Sequence, residues 1–100
     1  MKKSIVEHLQ EICRKLVRYE EYTVEIGISI SFVLHEAPYM EYDELHMDGD
    51  NQLTVRLDDI TEVREHPRDE YDLEDEWRVT LISASWGRID IDAYGRKAQP

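Results

Sequence analysis

The stretch YTVEIGISISFVL, residues 22–34, decides the fold. Tyr22, Val24, Ile26, Ile28, Ile30, Phe32 and Leu34 alternate without a break with Thr23, Glu25, Gly27, Ser29, Ser31 and Val33. A period of two belongs to a strand, because successive side chains leave opposite faces of the pleat. The pattern predicts one long strand over 22–34 that bends at Gly27 and ends before Ala37-Pro38. One face is apolar and the other is mostly small and polar. The strand therefore belongs to a sheet that packs on one side and meets water on the other.

Upstream, Ser4 followed three residues later by Glu7 is a capping box that opens a helix. At 100° per residue, Ile5, Val6, Leu9, Ile12, Cys13, Leu16, Val17 and Tyr19 fall in an arc of about 160°. Glu7, Gln10, Glu11, Arg14, Lys15 and Arg18 fill the remainder. The spacing predicts a helix over 4–20, with Leu9, Ile12, Cys13 and Leu16 buried against the sheet.

Downstream, Tyr39, Met40, Tyr42, Leu45 and Met47 allow a short strand, placed at 44–48. Asp48-Gly49-Asp50-Asn51 is a turn by composition, and Leu53, Val55 and Leu57 alternate as a strand over 52–57. Asp58-Asp59 interrupts the alternation before Ile60 and Val63, a change of spacing that calls for a bulge or a helical turn. A loop follows over 65–76. Strands over 77–84 and 88–94 form a closing hairpin with Trp86-Gly87 at its turn. That turn pairs Ala84 with Ile89 and Ile82 with Ile91 on the core face, leaving Ser83, Asp90 and Asp92 on the other. Residues 95–100 read as a frayed tail. The links between strands are too short for crossover helices. The expected architecture is one α+β domain over 1–100: an N-terminal amphipathic helix on a bent antiparallel sheet of about five strands, flat or curled into a small open barrel.

Charge is the other strong signal. Residues 41–76 carry fifteen Asp and Glu against three Arg, a local net charge of −12, within a chain whose formal charge is −11. Clustered charge of this density opposes compaction unless a partner, a cation or solvent takes it up. It disfavours direct contact with nucleic acid or an anionic membrane. The densest run supplies the partner-binding candidates Asp69, Glu70, Tyr71, Asp72, Glu74, Asp75 and Glu76. Tyr39, Tyr42, Tyr71, Trp77 and Trp86 lie in or beside the acidic half, and acidic side chains interleaved with aromatic ones suit a basic partner.

Catalytic chemistry has little to build on. There is no Gly-x-Ser-x-Gly, no glycine-rich phosphate loop and no paired His spacing for a metal. Cys13 is the sole cysteine, which leaves neither an internal disulfide nor a cysteine zinc site. The turn at Asp48 opens like a calcium loop, but Leu53 stands where that loop needs glycine. Carboxylates also group at Asp58 and Asp59 with Glu62 and at Asp90 and Asp92; the latter pair shares a strand face and supplies the metal candidates. No basic leader with an apolar core and no membrane-length apolar run is present. The expectation is a small cytoplasmic binding or regulatory module, not an enzyme and without a cofactor, that engages a basic protein partner or forms a homo-oligomer. A nucleic-acid-mimicking inhibitor is the alternative, and a metal-dependent enzyme is a third.

Overall fold

In the computed structural model, which describes residues 4–66 and 76–96 (the Arg96 side chain excepted), Ser4 caps the first helix by accepting a 3.1 Å hydrogen bond from the Glu7 amide. Helix α1 covers Ile5–Leu16 and ends well before residue 20. The Tyr22 hydroxyl ends it, lying 2.6 Å from the Leu16 carbonyl oxygen and 2.7 Å from that of Tyr19, so a side chain satisfies the orphaned helix end. Tyr19 already belongs to the first strand, where its ring stacks on Trp77 with centroids 6.2 Å apart.

Among the described residues eight strands follow: β1 (Tyr19–Ile26), β2 (Ile30–Leu34), β3 (Tyr39–Glu41), β4 (Glu44–Asp48), β5 (Gln52–Arg56), β6 (Ile60–Glu65), β7 (Glu76–Ser83) and β8 (Gly87–Arg96). All pairings are antiparallel. A five-stranded sheet runs in the order β2-β1-β8-β7-β6 and a three-stranded sheet in the order β3-β4-β5, and neither closes into a barrel.

The long strand over 22–34 is a hairpin. Gly27, at φ +62°, starts a turn over 27–29, and β2 folds back so that Ile26 pairs with Ile30 and Val24 with Phe32. A loop of three residues preserves the parity of the alternation. The apolar residues thus return to the same face, and the period of two passes unbroken through a reversal.

Of the three strands beyond the expected five, the reversal at Gly27 accounts for one, and β3 and β6 are the other two. Tyr39–Glu41 is long enough only to flank β4, and Leu57–Asp59 forms a single 3-10 turn that leads into β6, which carries a bulge between Ile60 and Glu62. At the closing hairpin the register differs by three residues from the expected one. Leu81 pairs with Ile89, Val79 with Ile91 and Trp77 with Ala93, so these six share the core face. Ile82 lies on the opposite face and Ala84 in the exposed turn. Asp59 sets that register. Its carboxylate accepts from the Ser83 hydroxyl at 2.7 Å, the Ser85 hydroxyl at 3.1 Å and the Ser85 amide at 3.2 Å, while its carbonyl accepts from the Ala84 amide at 2.9 Å. The turn is therefore held at 84–86.

Both sheets and α1 bury one continuous core, in which Leu9, Ile12 and Leu16 meet Val24, Val79, Leu81 and Ile91 from one sheet and Leu45, Met47 and Val55 from the other. Gly49 joins the sheets by bridging Leu34. A Cβ there would collide with the Val33 carbonyl oxygen and the Leu34 Cα, so this approach requires glycine. On the core face, Glu65 of β6 accepts from His8 at 2.8 Å and lies 3.5 Å from Lys15, tying the helix to the sheet.

Candidate functional site

Of the acidic run proposed from sequence, Asp69, Glu70, Tyr71, Asp72, Glu74 and Asp75 lie outside the described residues; Glu76 opens β7, half-buried and paired with Tyr94. Asp90 and Asp92 stand on the outer face of the five-stranded sheet, as their alternation predicts, yet both are buried. Arg78 grips Asp92 through two bonds of 2.6 and 3.3 Å. Arg88 and the Thr80 hydroxyl donate to Asp90 at 3.0 and 2.5 Å. Because Thr80 gives its only proton to Asp90, its oxygen accepts from His66 Nε2–H at 2.7 Å. Burial works against the Asp90 charge, but the Thr80 and Arg88 bonds outweigh it and hold its pKa below the usual carboxylate value. These carboxylates are engaged by protein cations, and among the described residues no group of three His, Cys, Asp or Glu is placed to hold a metal ion.

The more open chemistry lies beside the three-stranded sheet. On its outer face the Tyr39 ring stacks on His46 at 5.1 Å, and the Tyr39 hydroxyl donates to Asp48 at 2.9 Å. That bond, partial burial and the nearby charges of Asp48, Glu36 and Glu41 raise the Tyr39 pKa above its usual value. Glu41 and Glu44 face each other directly across the β3–β4 pair. Like charges so placed destabilise a sheet. Among the described residues, Glu36, Glu41 and Asp43 form no salt bridge; Arg56 is held by Asp58 at 3.2 Å, and Arg14 stands beside Pro38, Tyr39 and Met40.

Tyr42 sits between Glu41 and Asp43 at the tip of this hairpin. Its φ is +57°, the left-handed region that a bulky side chain avoids, and it is 89% exposed. Among the described residues, no hydrogen bond or ring contact holds the tyrosine at that position.

Beside it, α1 and β3 leave a trough. Val6, Cys13 and Val17 form one flank of the helix's apolar arc, within about 40° of one another, and the sheet covers only the other flank. The uncovered flank faces Met40, giving two adjoining hollows of about 500 and 490 Å³ that share Gln10 and Met40. One ends at Arg14, Pro38 and Tyr39, the other at Tyr42, Asp43, Arg56 and Asp58. Cys13 is half-buried in its wall, and burial pushes its thiol up to about 11. A thiol so far from ionising is apolar lining and a poor nucleophile. The trough thus has an apolar floor, a rim that carries Asp43 and Asp58 together with Arg14 and Arg56, and an exposed tyrosine at one end. The width of the arc was the signal for it in the sequence: more apolar surface than one sheet contact consumes.

No family model, no curated protein and no solved structure matches this chain.

Proposed function

We propose that this protein is a small binding module whose α1–β3 trough takes an amphipathic, basic segment of a protein partner. The observation that carries it is Tyr42, a solvent-exposed aromatic side chain held in a disfavoured backbone conformation amid unpaired-by-cation carboxylates. Exposed aromatic residues become binding anchors when a partner desolvates them. Lys and Arg stems would cover Met40, Val6 and Val17, and their heads would reach Asp43, Glu41 and Glu36. The run Asp69–Glu76 adds to the same negative field, which raises the encounter rate with a basic partner.

The rival readings have less support. A nucleic-acid mimic calls for an unbroken track of carboxylates, and on the outer face of β4 His46 separates Glu44 from Asp48, beside Arg56 on β5. A metal-dependent enzyme built on Asp90 and Asp92 would have to displace Arg88 and Arg78. Among the described residues, no helix is long and apolar enough to cross a membrane. The free cysteine favours a cytoplasmic setting.

The test is fluorescence anisotropy with a panel of labelled peptides: amphipathic basic sequences, their charge-reversed counterparts and scrambled versions. The basic amphipathic set should bind, and its affinity should fall at least 10-fold between about 50 and 300 mM salt. Equal binding of acidic and basic peptides, or no dependence on salt, would contradict the proposal.

A further inference from the structure

Strand β3 is an edge of the three-stranded sheet, and the trough runs along it. In an antiparallel ladder each residue directs its N–H and C=O to one side, and the next residue directs both to the other. The Asp43 carbonyl accepts from the Leu57 amide at 2.9 Å, so Asp43 faces β5, and by alternation Leu45 and Met47 do too. Glu44 and His46 therefore bond to β3, where they take up the backbone groups of Glu41 and Tyr39. Met40, between those two, directs its N–H and C=O away from β4. Among the described residues no backbone group pairs with them.

Val17 and Arg14 stand beside Pro38 and Tyr39 at one end of the trough, and Val6 stands beside Tyr42 at the other. Strand β3 thus runs antiparallel to α1, along the helix's uncovered flank. The stretch from Val6 to Val17 rises about 17 Å, the span of about five strand residues. A helix laid there would bury the Met40 N–H and C=O without partners, because its own backbone groups are already bonded within it. Unpaired buried backbone groups are penalised. An extended segment brings an N–H and a C=O of its own to Met40.

We infer that the basic segment of the partner binds as an added strand on the β3 edge, hydrogen-bonded to the Met40 backbone, with apolar and basic residues alternating along it. This rests on the trough being the binding site, and it fixes the conformation and the pattern of what the trough takes. Strand addition of this kind draws affinity from main-chain bonds and specificity from hollows that receive alternate side chains.

The two faces of β3 sort the partner's side chains. Met40 packs toward the core, so the partner residue beside it, and those two places away on either side, turn toward Val6, Cys13 and Val17. The residues between turn to the opposite face, beside Tyr39 and Glu41. Carboxylates without a salt bridge lie there: Glu41 itself, and Glu36, near enough to act on the Tyr39 hydroxyl. Arg14, on the trough side, meets the apolar positions and not the basic ones. Pro38 has no N–H to offer, and Tyr42 leaves the strand at φ +57°, so the free edge is centred on Met40 and admits one register.

Two labelled peptides of identical Val and Lys composition test it on the whole protein: one alternates with a period of two, and the other carries its valines as a helical stripe. Anisotropy at low salt should show the alternating peptide binding at least about 10-fold more tightly. In its complex the peptide's Cα carbon shifts should move to strand values, and the Met40 amide should gain protection from hydrogen exchange. Tighter binding of the helical-stripe peptide, helical shifts in the bound peptide, or a Met40 amide that exchanges as in the free protein would overturn the added strand and leave the trough as the binding site. Binding of neither peptide would overturn both proposals.

Discussion

At Tyr42 the chain gives up stability for a side chain that lies almost wholly in solvent. A non-glycine residue in the left-handed region is disfavoured by roughly 1 kcal/mol or more, and the ring recovers none of this by burial, being 89% exposed. Replacing it by glycine, which adopts that conformation freely, should leave the fold intact and hold or raise stability by up to about 1 kcal/mol. The same variant should lose affinity for basic amphipathic peptides. Urea melts and anisotropy on one preparation check both halves. A Tyr42→Gly protein that is destabilised and binds undiminished would show the tyrosine to be structural. In sequence, Tyr42 was visible only as one of several aromatic residues in the acidic half. Its strain and exposure follow from the two-residue turn between Glu41 and Glu44, which forms because Leu45 and Val55 pull β4 into the core.

Among the elements, the β7–β8 hairpin depends most on ionised carboxylates. Asp59 is held below its usual pKa by the hydrogen bond from Ser83, with the Ser85 bonds adding to it against a smaller desolvation effect. Asp90 is held low by Thr80 and Arg88 in spite of its burial. A carboxylate with a folded-state pKa below its unfolded value stabilises fully above the unfolded value, and loses that contribution as pH falls through the folded one. Denaturant melts should therefore show stability falling steeply below about pH 4. Asp59→Asn and Asp90→Asn should each flatten that fall while costing stability at pH 7. Profiles parallel to the parent's would mean these bonds do not form. The helix start was legible because Ser4 and Glu7 act locally. The hairpin register was not, because Asp59 sets it from 24 residues away in sequence. The reversal at Gly27 was hidden because an odd-length loop conserves the alternation that advertises a strand.

Across the whole molecule, the excess of acidic charge and the trough between α1 and β3 are the features on which the proposed binding of a basic segment rests. The α+β architecture with one helix on antiparallel sheet was readable from periodicity alone. Its division into five- and three-stranded sheets was not, since it rests on Gly49 meeting Leu34 in space. The charge excess was likewise plain in the sequence, whereas the trough needed the helix to be covered on one flank only. The most direct measurement of the central claim is a two-dimensional amide NMR titration of the labelled protein with a basic amphipathic peptide at low salt. Shifts are expected to concentrate at Val6, Gln10, Val17, Met40, Tyr42 and Asp43, with the outer-face residues Thr80, Asp90 and Asp92 unmoved. Shifts centred on those three, or spread evenly over every acidic surface, would contradict it.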